Sequence, residues 1–170
     1  RWNYAEYYVR SADLNFIGGI MEVICGVRDD IDLWMKLVRE VSPVFPGLET
    51  EEALEEHKNT VMRFMGEKRA LCVKKDGEIA GVLLFSVKHN MICCLAVSHA
   101  RRKEGIASAL LAAAMERLDT SRDITVTTFR EGDKKGAAPR ALYKKFGFKE
   151  GELVEEFGYP NQVFVLSPKT

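Results

Sequence analysis

The chain lacks most of the features that mark a specialised class of protein. Its 170 residues carry 25 Lys plus Arg against 25 Asp plus Glu, so no net field draws in a nucleic acid or an acidic membrane. An anion must therefore be held by a local patch. No run of about 18 apolar residues suggests a membrane span, and no apolar core ahead of a cleavage site suggests a secretory leader. A cytoplasmic protein is expected. The three histidines, His57, His89 and His99, are scattered, with no acid or cysteine at metal-ligand spacing. They read as surface residues, and no metal site is expected. The four cysteines, Cys25, Cys72, Cys93 and Cys94, form no CxxC pair and lie in apolar strand-like runs, which predicts reduced core thiols. Cys93 and Cys94 are neighbours on one strand, so their side chains should face opposite ways and only one can line a cleft. Neither GxGxxG nor GxxxxGK followed by Ser or Thr occurs, which excludes the common dinucleotide and nucleotide phosphate loops.

What is present is enough for one folded core, with 46% hydrophobic and 29% charged residues. Residues 1 to 20 have aromatics but no sustained period and read as an N-terminal arm. MEVICGV (21 to 27) reads as a strand. RDDIDLWMKLVREV follows as a helix capped by Asp29 or Asp30, with Ile31, Trp34, Leu37, Val38 and Val41 on one face. SPVFPGL breaks it, and Thr50 caps a second helix whose first turn is rich in glutamate. Asp76-Gly77 joins two β-rich runs as a hairpin, and KHN turns the chain into MICCLAV. These runs are apolar on both faces, so helices should cover both sides of the sheet. After a helix over 105 to 118, DITVTTF should lie parallel to MICCLAV. Pro139 can open a helix that Gly147 ends, and two strands close the chain. The expected order is β-α-α-β-β-β-α-β-α-β-β, a single α+β domain over 21 to 170.

One turn carries more charge than a connection needs. AVSHARRKEGIASALL passes from strand to helix through three cations, an acid and a glycine. A helix that starts near Gly105 presents unpaired N–H groups over 102 to 107 and the positive end of its dipole, an arrangement that binds phosphate. Gly105 and Ala107 keep bulk out of the way, while Arg101, Arg102 and Lys103 add positive charge. A solvated basic turn before a buried helix is the plain alternative from this segment alone.

RKEGIA (Arg102 to Ala107) resembles the Q/R-x-x-G-x-G/A acyl-CoA pyrophosphate motif of the GNAT superfamily of N-acetyltransferases. ALYKKFGF (141 to 148) resembles that family's second signature, LYxKxGF, and the two stand in the family's order and separation. The resemblance covers about residues 21 to 167. It implies a mixed, mostly antiparallel sheet with helices on both faces. It also implies a backbone cradle for the pyrophosphate of acetyl-CoA formed by Arg102, Lys103, Glu104, Gly105, Ile106 and Ala107. The edge formed by Leu95, Ala96 and Val97 would pair with the pantetheine arm in the manner of an added strand. That pairing requires the fourth and fifth strands to splay apart after a bulge.

The resemblance further carries over Tyr143 as the residue whose hydroxyl protonates the departing thiolate. The acceptor half is less legible. A lysine-like amine must lose its proton before attack, which costs about 4.6 kcal/mol at pH 7, yet NMICCLAV holds none of the acids that many family members place there. Glu155, Glu156 and Tyr159 are candidates for a water-linked base. The asparagine often found seven residues before the family's tyrosine is Gly136 here.

The expected activity is acetyl-CoA-dependent N-acetylation of a small-molecule or peptide amine by direct attack, with no metal, nucleic acid or membrane involved. A homodimer is compatible with the sequence. A non-catalytic acyl-CoA-binding sensor or interaction module is the alternative. The connector SPVFPGLETEEALEE and the hairpin EGELVEEFGYPNQ should flank the acceptor side of the cleft. Their glutamates suit a cationic amine, or form only a helix start and a solvated face.

Overall fold

The computed structural model describes residues 21–169, so the arm expected over 1 to 20 lies outside the described residues. The elements follow in the expected order. They are β1 (Val23–Cys25), α1 (Ile31–Val41), α2 (Glu51–Gly66), β2 (Ala70–Lys75), β3 (Glu78–Ser86), β4 (Met91–Val97), α3 (Ile106–Met115), β5 (Ile124–Phe129), α4 (Ala137–Lys145), β6 (Lys149–Glu156) and β7 (Tyr159–Leu166). The strands form one seven-stranded sheet in the order β1-β2-β3-β4-β5-β7-β6. Every pairing is antiparallel except β4 with β5, which the α3 crossover makes parallel.

Two apolar cores lie on the two faces, as strands without polar alternation require. Leu71, Leu83 and Ile92 pack with α3 and with Tyr143 of α4, whereas Cys72, Val82 and Leu84 pack with α1 and α2. α3 is buried nearly all round, which its Ala- and Leu-rich sequence permits. Each fully buried Leu, Ile or Phe side chain in these layers contributes about 1.5–3 kcal/mol relative to exposure.

Local signals set most boundaries. Thr50 Oγ1 accepts the Ala53 N–H at 3.0 Å and starts α2. Asp76 and Gly77 both have positive φ, +53° and +75°, as a two-residue type I′ hairpin requires. Asp30 behaves differently from expectation. A 3₁₀ turn over Arg28–Asp30 leads into α1, and the Asp30 carboxylate reaches back to the Val27 N–H at 2.9 Å and to Lys74 Nζ at 2.6 Å, making no forward cap. α4 starts at Ala137, two residues before Pro139, which sits in the first turn, where its missing N–H costs nothing.

Candidate functional site

The site begins at a parallel strand pair that is barely paired. β4 and β5 share only the positions Met91 with Thr125 and Ile92 with Val126, after which they separate. The vertex is fixed by Asn90, which is 2% exposed and has φ +51°. Its amide donates to the carbonyls of Asp119 at 2.8 Å and Asp123 at 3.0 Å, and accepts the Asp119 N–H at 2.8 Å. The divergence starts at a bulge. Leu84 pairs with Cys94 but Phe85 pairs with Ile92, so Cys93 is an extra residue. The bulge shifts the side-chain alternation. Ile92 packs with the core under α3, while Cys94 and Ala96 pack with the core under α1. Cys93 is exposed, which corrects the expectation of four core thiols.

Leu95, Ala96 and Val97 pair with Leu83, Val82 and Gly81 of β3. They have no partner in β5 on their other side, which is the open edge expected from the resemblance. The chain then makes a 3₁₀ turn over His99–Arg101 and enters α3 through Lys103 at φ +64° and Gly105 at φ +81°. The first α3 bond runs from the Ala109 N–H to Gly105 O at 3.0 Å, so the N–H groups of Ile106, Ala107 and Ser108 have no partner within the helix. A Cβ built on Gly105 would meet no heavy atom within 4 Å. The glycine therefore serves a left-handed cap and leaves clear space above the helix amides.

The charges around this turn divide into two sets. Arg101 pairs with Asp76 and lies 3.8 Å from Glu104, and Glu104 also takes Lys75 Nζ at 3.0 Å. Arg101 is thus spent on tying the loop to the β2–β3 hairpin, and the Glu104 carboxylate is taken up by Lys75 and Arg101. Arg102 and Lys103 are exposed and have no ion-pair partner among the described residues. Open space, unpaired amides, a dipole end and two uncommitted cations fit a pyrophosphate.

The second motif explains itself as a helix ending. Gly147 at φ +94° donates to Lys144 O at 3.0 Å and Phe148 donates to Tyr143 O at 3.0 Å, the two bonds of a Schellman cap. This cap brings Phe148 back onto Tyr143, with ring centroids 5.8 Å apart, and Phe164 lies 6.1 Å away on β7. Tyr143 is 4% exposed. Burial, with a smaller electrostatic contribution from Cys94, pushes its phenol well above the ordinary tyrosine range. The helix therefore aims Tyr143 toward the β4 bulge and holds it protonated. Burial and the neighbouring Cys93 push the Cys94 thiol up to about 12, so it stays a thiol.

At the other end of α4, a Cβ on Gly136 would stand 2.7 Å from Phe129 Cβ. The position that resembles the family's asparagine thus has no room for a side chain.

A cleft of about 350 Å³ lies between the α1–α2 connector and the strand ends, bordered by Pro43, Phe45, Leu48 and Glu49 on one side and Lys135 and Tyr159 on the other. The connector is held at both ends. Glu40 accepts from Ser98 Oγ at 3.0 Å and from the His99 N–H at 2.8 Å, and Gly47 lies under the Phe157 ring. Connector and hairpin do flank one cleft, and of their glutamates the lining includes Glu49. Glu51 is bound by Arg39 at 2.7 and 2.8 Å, and Glu49 accepts the Gly47 N–H at 2.9 Å. Glu155 and Glu156 are exposed on β6, outside the cleft lining. Tyr159 donates to Asp133 at 2.5 Å, and that bond, ahead of burial, raises its pKa, which makes it a poor base. Among the described residues no three His, Cys, Asp or Glu side chains gather as a metal site, and no helix is long and apolar enough to cross a membrane.

Several residues that shape the site carry no local signal. Asn90 reads as a turn residue. Gly81, inside a strand, is the one position whose composition hints at a close approach. Arg140, buried, donates to Phe129 O at 2.9 Å, Gln162 Oε1 at 2.8 Å and Glu150 Oε1 at 2.7 Å, joining α4 to three strands.

The sequence pattern of the Acetyltransferase (GNAT) domain family matches residues 66–150, half of the chain. No curated protein matches the sequence. Solved structures resemble it in fold. A GNAT-family acetyltransferase from Bacillus cereus ATCC 10987 is 21% identical with TM-score 0.66, over 89% of this chain and 100% of that one. The ribosomal-protein-S18-alanine N-acetyltransferase from Escherichia coli is 17% identical with TM-score 0.66, over 89% and 97%. The PaiA N-acetyltransferase from Thermoplasma acidophilum, solved in complex with coenzyme A, is 14% identical with TM-score 0.63, over 85% and 98%.

Proposed function

The chain belongs to the GNAT family of acetyltransferases, and from that premise we propose that it transfers the acetyl group of acetyl-CoA to a primary amine by direct attack on the thioester. The observation that carries this reading is the opening between β4 and β5 beside the unobstructed start of α3. When bound, the coenzyme supplies an activated acyl group on a thiolate leaving group. The N–H groups of Ile106, Ala107 and Ser108, with Arg102 and Lys103, hold the pyrophosphate, and the free edge of Leu95, Ala96 and Val97 pairs with the amide-bearing arm.

Tyr143 gives its phenolic proton to the departing sulfur. A thiol of pKa about 8.5 needs only a modest acid, and a buried phenol stays protonated throughout the working range. No acid lies on β4, so the amine's proton leaves through water. Burial pushes the Cys94 thiol up to about 12, which favours direct attack over an acyl-cysteine relay at that residue. Thiol release from acetyl-CoA over a panel of primary amines, with mass spectrometry of each product, tests the proposal. It predicts N-acetylated product with one thiol released per acetyl transferred. Thiol release without N-acetylated product would contradict it.

A further inference from the structure

We propose that Lys135 holds an anionic group of the acceptor, so that the amine acetylated here is carried on a molecule with an apolar body and a carboxylate. This rests on the transferase reading above and names its substrate class.

The cleft that faces the connector is mainly apolar, walled by Pro43, Phe45, Pro46 and Leu48. It carries two charges. Glu49 spends one oxygen on the Gly47 N–H. Lys135 has no carboxylate within ion-pair reach among the described residues, whereas Lys36, Lys74 and Lys75 each have one. The Lys135 ammonium stands over the Tyr159 ring, 5.3 Å from its centroid. Asp133 links the two residues, accepting the Lys135 backbone N–H at 3.0 Å and the Tyr159 hydroxyl at 2.5 Å, while the Lys135 side chain is exposed. Asp133 feels the Lys135 charge but has its oxygens occupied by these two donors.

A cation standing on an aromatic face beside an apolar wall is complementary to an anion whose body is apolar. A single ammonium matches a carboxylate. A polyamine would instead bring like charge toward Lys135; Arg39 takes up Glu51 and Glu155 and Glu156 lie outside the lining, which leaves Glu49 as the lining's carboxylate among the described residues.

The test uses matched primary amines on one apolar skeleton, each prepared as the carboxylate, the carboxamide and the second amine. Two readouts are taken, kcat/KM from thiol release and affinity for the coenzyme A-bound protein by calorimetry. A charge-assisted contact predicts that the wild type favours the carboxylate over the carboxamide by about ten- to a hundredfold. Lys135→Met should erase that ratio, Lys135→Glu should move preference to the second amine, and Lys135→Arg should restore the carboxylate. No preference in the wild type, or equal losses for all three acceptors in Lys135→Met, would overturn the inference. So would a fall in coenzyme affinity on the same substitution, which would assign Lys135 to the coenzyme's phosphates. Lys135-dependent binding of carboxylates without acetylation would uphold the subsite and defeat the transferase reading instead.

Discussion

Gly81 lies so close beneath Ile106 that a Cβ on it would stand 2.4 Å from Ile106 Cγ2 and 3.0 Å from Leu110 Cδ1. The missing side chain lets the first turn of α3 rest on β3, beside the edge of β4. Gly81→Ala should therefore overpack this contact at a cost of about 1–3 kcal/mol. It should also lift the helix amides and weaken acetyl-CoA binding. Thermal unfolding and calorimetry check both effects, with a melting point lower by about 2–4 °C for each kcal/mol. Unchanged stability and affinity would show that α3 does not depend on this approach.

Asn90 closes the vertex from which β4 and β5 diverge. Asn90→Ala removes three hydrogen bonds and places a less tolerant residue at φ +51°. The expected loss is about 2–4 kcal/mol in urea unfolding. Hydrogen exchange should rise first in residues 119 to 125.

Tyr143→Phe keeps the ring beside Phe148 and Phe164 and deletes only the hydroxyl proposed as the acid. The turnover number should fall by about a hundredfold or more, with coenzyme affinity little changed. The pH profile sharpens the test. The folded pKa is raised, so the protonated, active form persists through the ordinary tyrosine range and is lost only above it. Wild type and variant should therefore run parallel up to about pH 10. A limb in the wild type below that pH that vanishes in the variant would contradict the buried-phenol assignment.

Cys94→Ala tests direct attack. With the thiol at about 12, Cys94 carries no acyl group, and the variant should acetylate amines at a rate close to wild type. Loss of acetylation together with a trapped acetyl-cysteine in the wild type would establish a relay.

The features legible in the sequence are those set by neighbours in the chain. Thr50 as a cap, Asp76-Gly77 as a turn and Gly147 as a helix end rest on local backbone chemistry, and each stands where expected. The two-sided burial of β2 and β3 also follows from unbroken apolar runs. What escaped depends on contacts distant in sequence. The apolar run made Cys93 read as a core thiol, but a bulge against β3 inserts it as an extra, exposed residue, which no property of MICCLAV announces. Arg101, expected to add positive charge at the turn, is taken up by Asp76 of the β2–β3 hairpin and by Glu104. Of the two readings open for the connector's glutamates, Glu51 follows the helix start, since Arg39 on the preceding helix takes it up.

The central claim is that the start of α3, beside the opening of β4 and β5, holds acetyl-CoA. Calorimetric titration of acetyl-CoA into the wild type and into Gly105→Ala tests it most directly. The added methyl enters open space, so it strains only the φ +81° backbone, at about 1–2 kcal/mol, and disturbs no packing. The account predicts one-to-one binding in the wild type and an affinity at least about tenfold weaker in a variant that still melts cooperatively. Equal affinity in the two proteins, or no binding by the wild type, would contradict it.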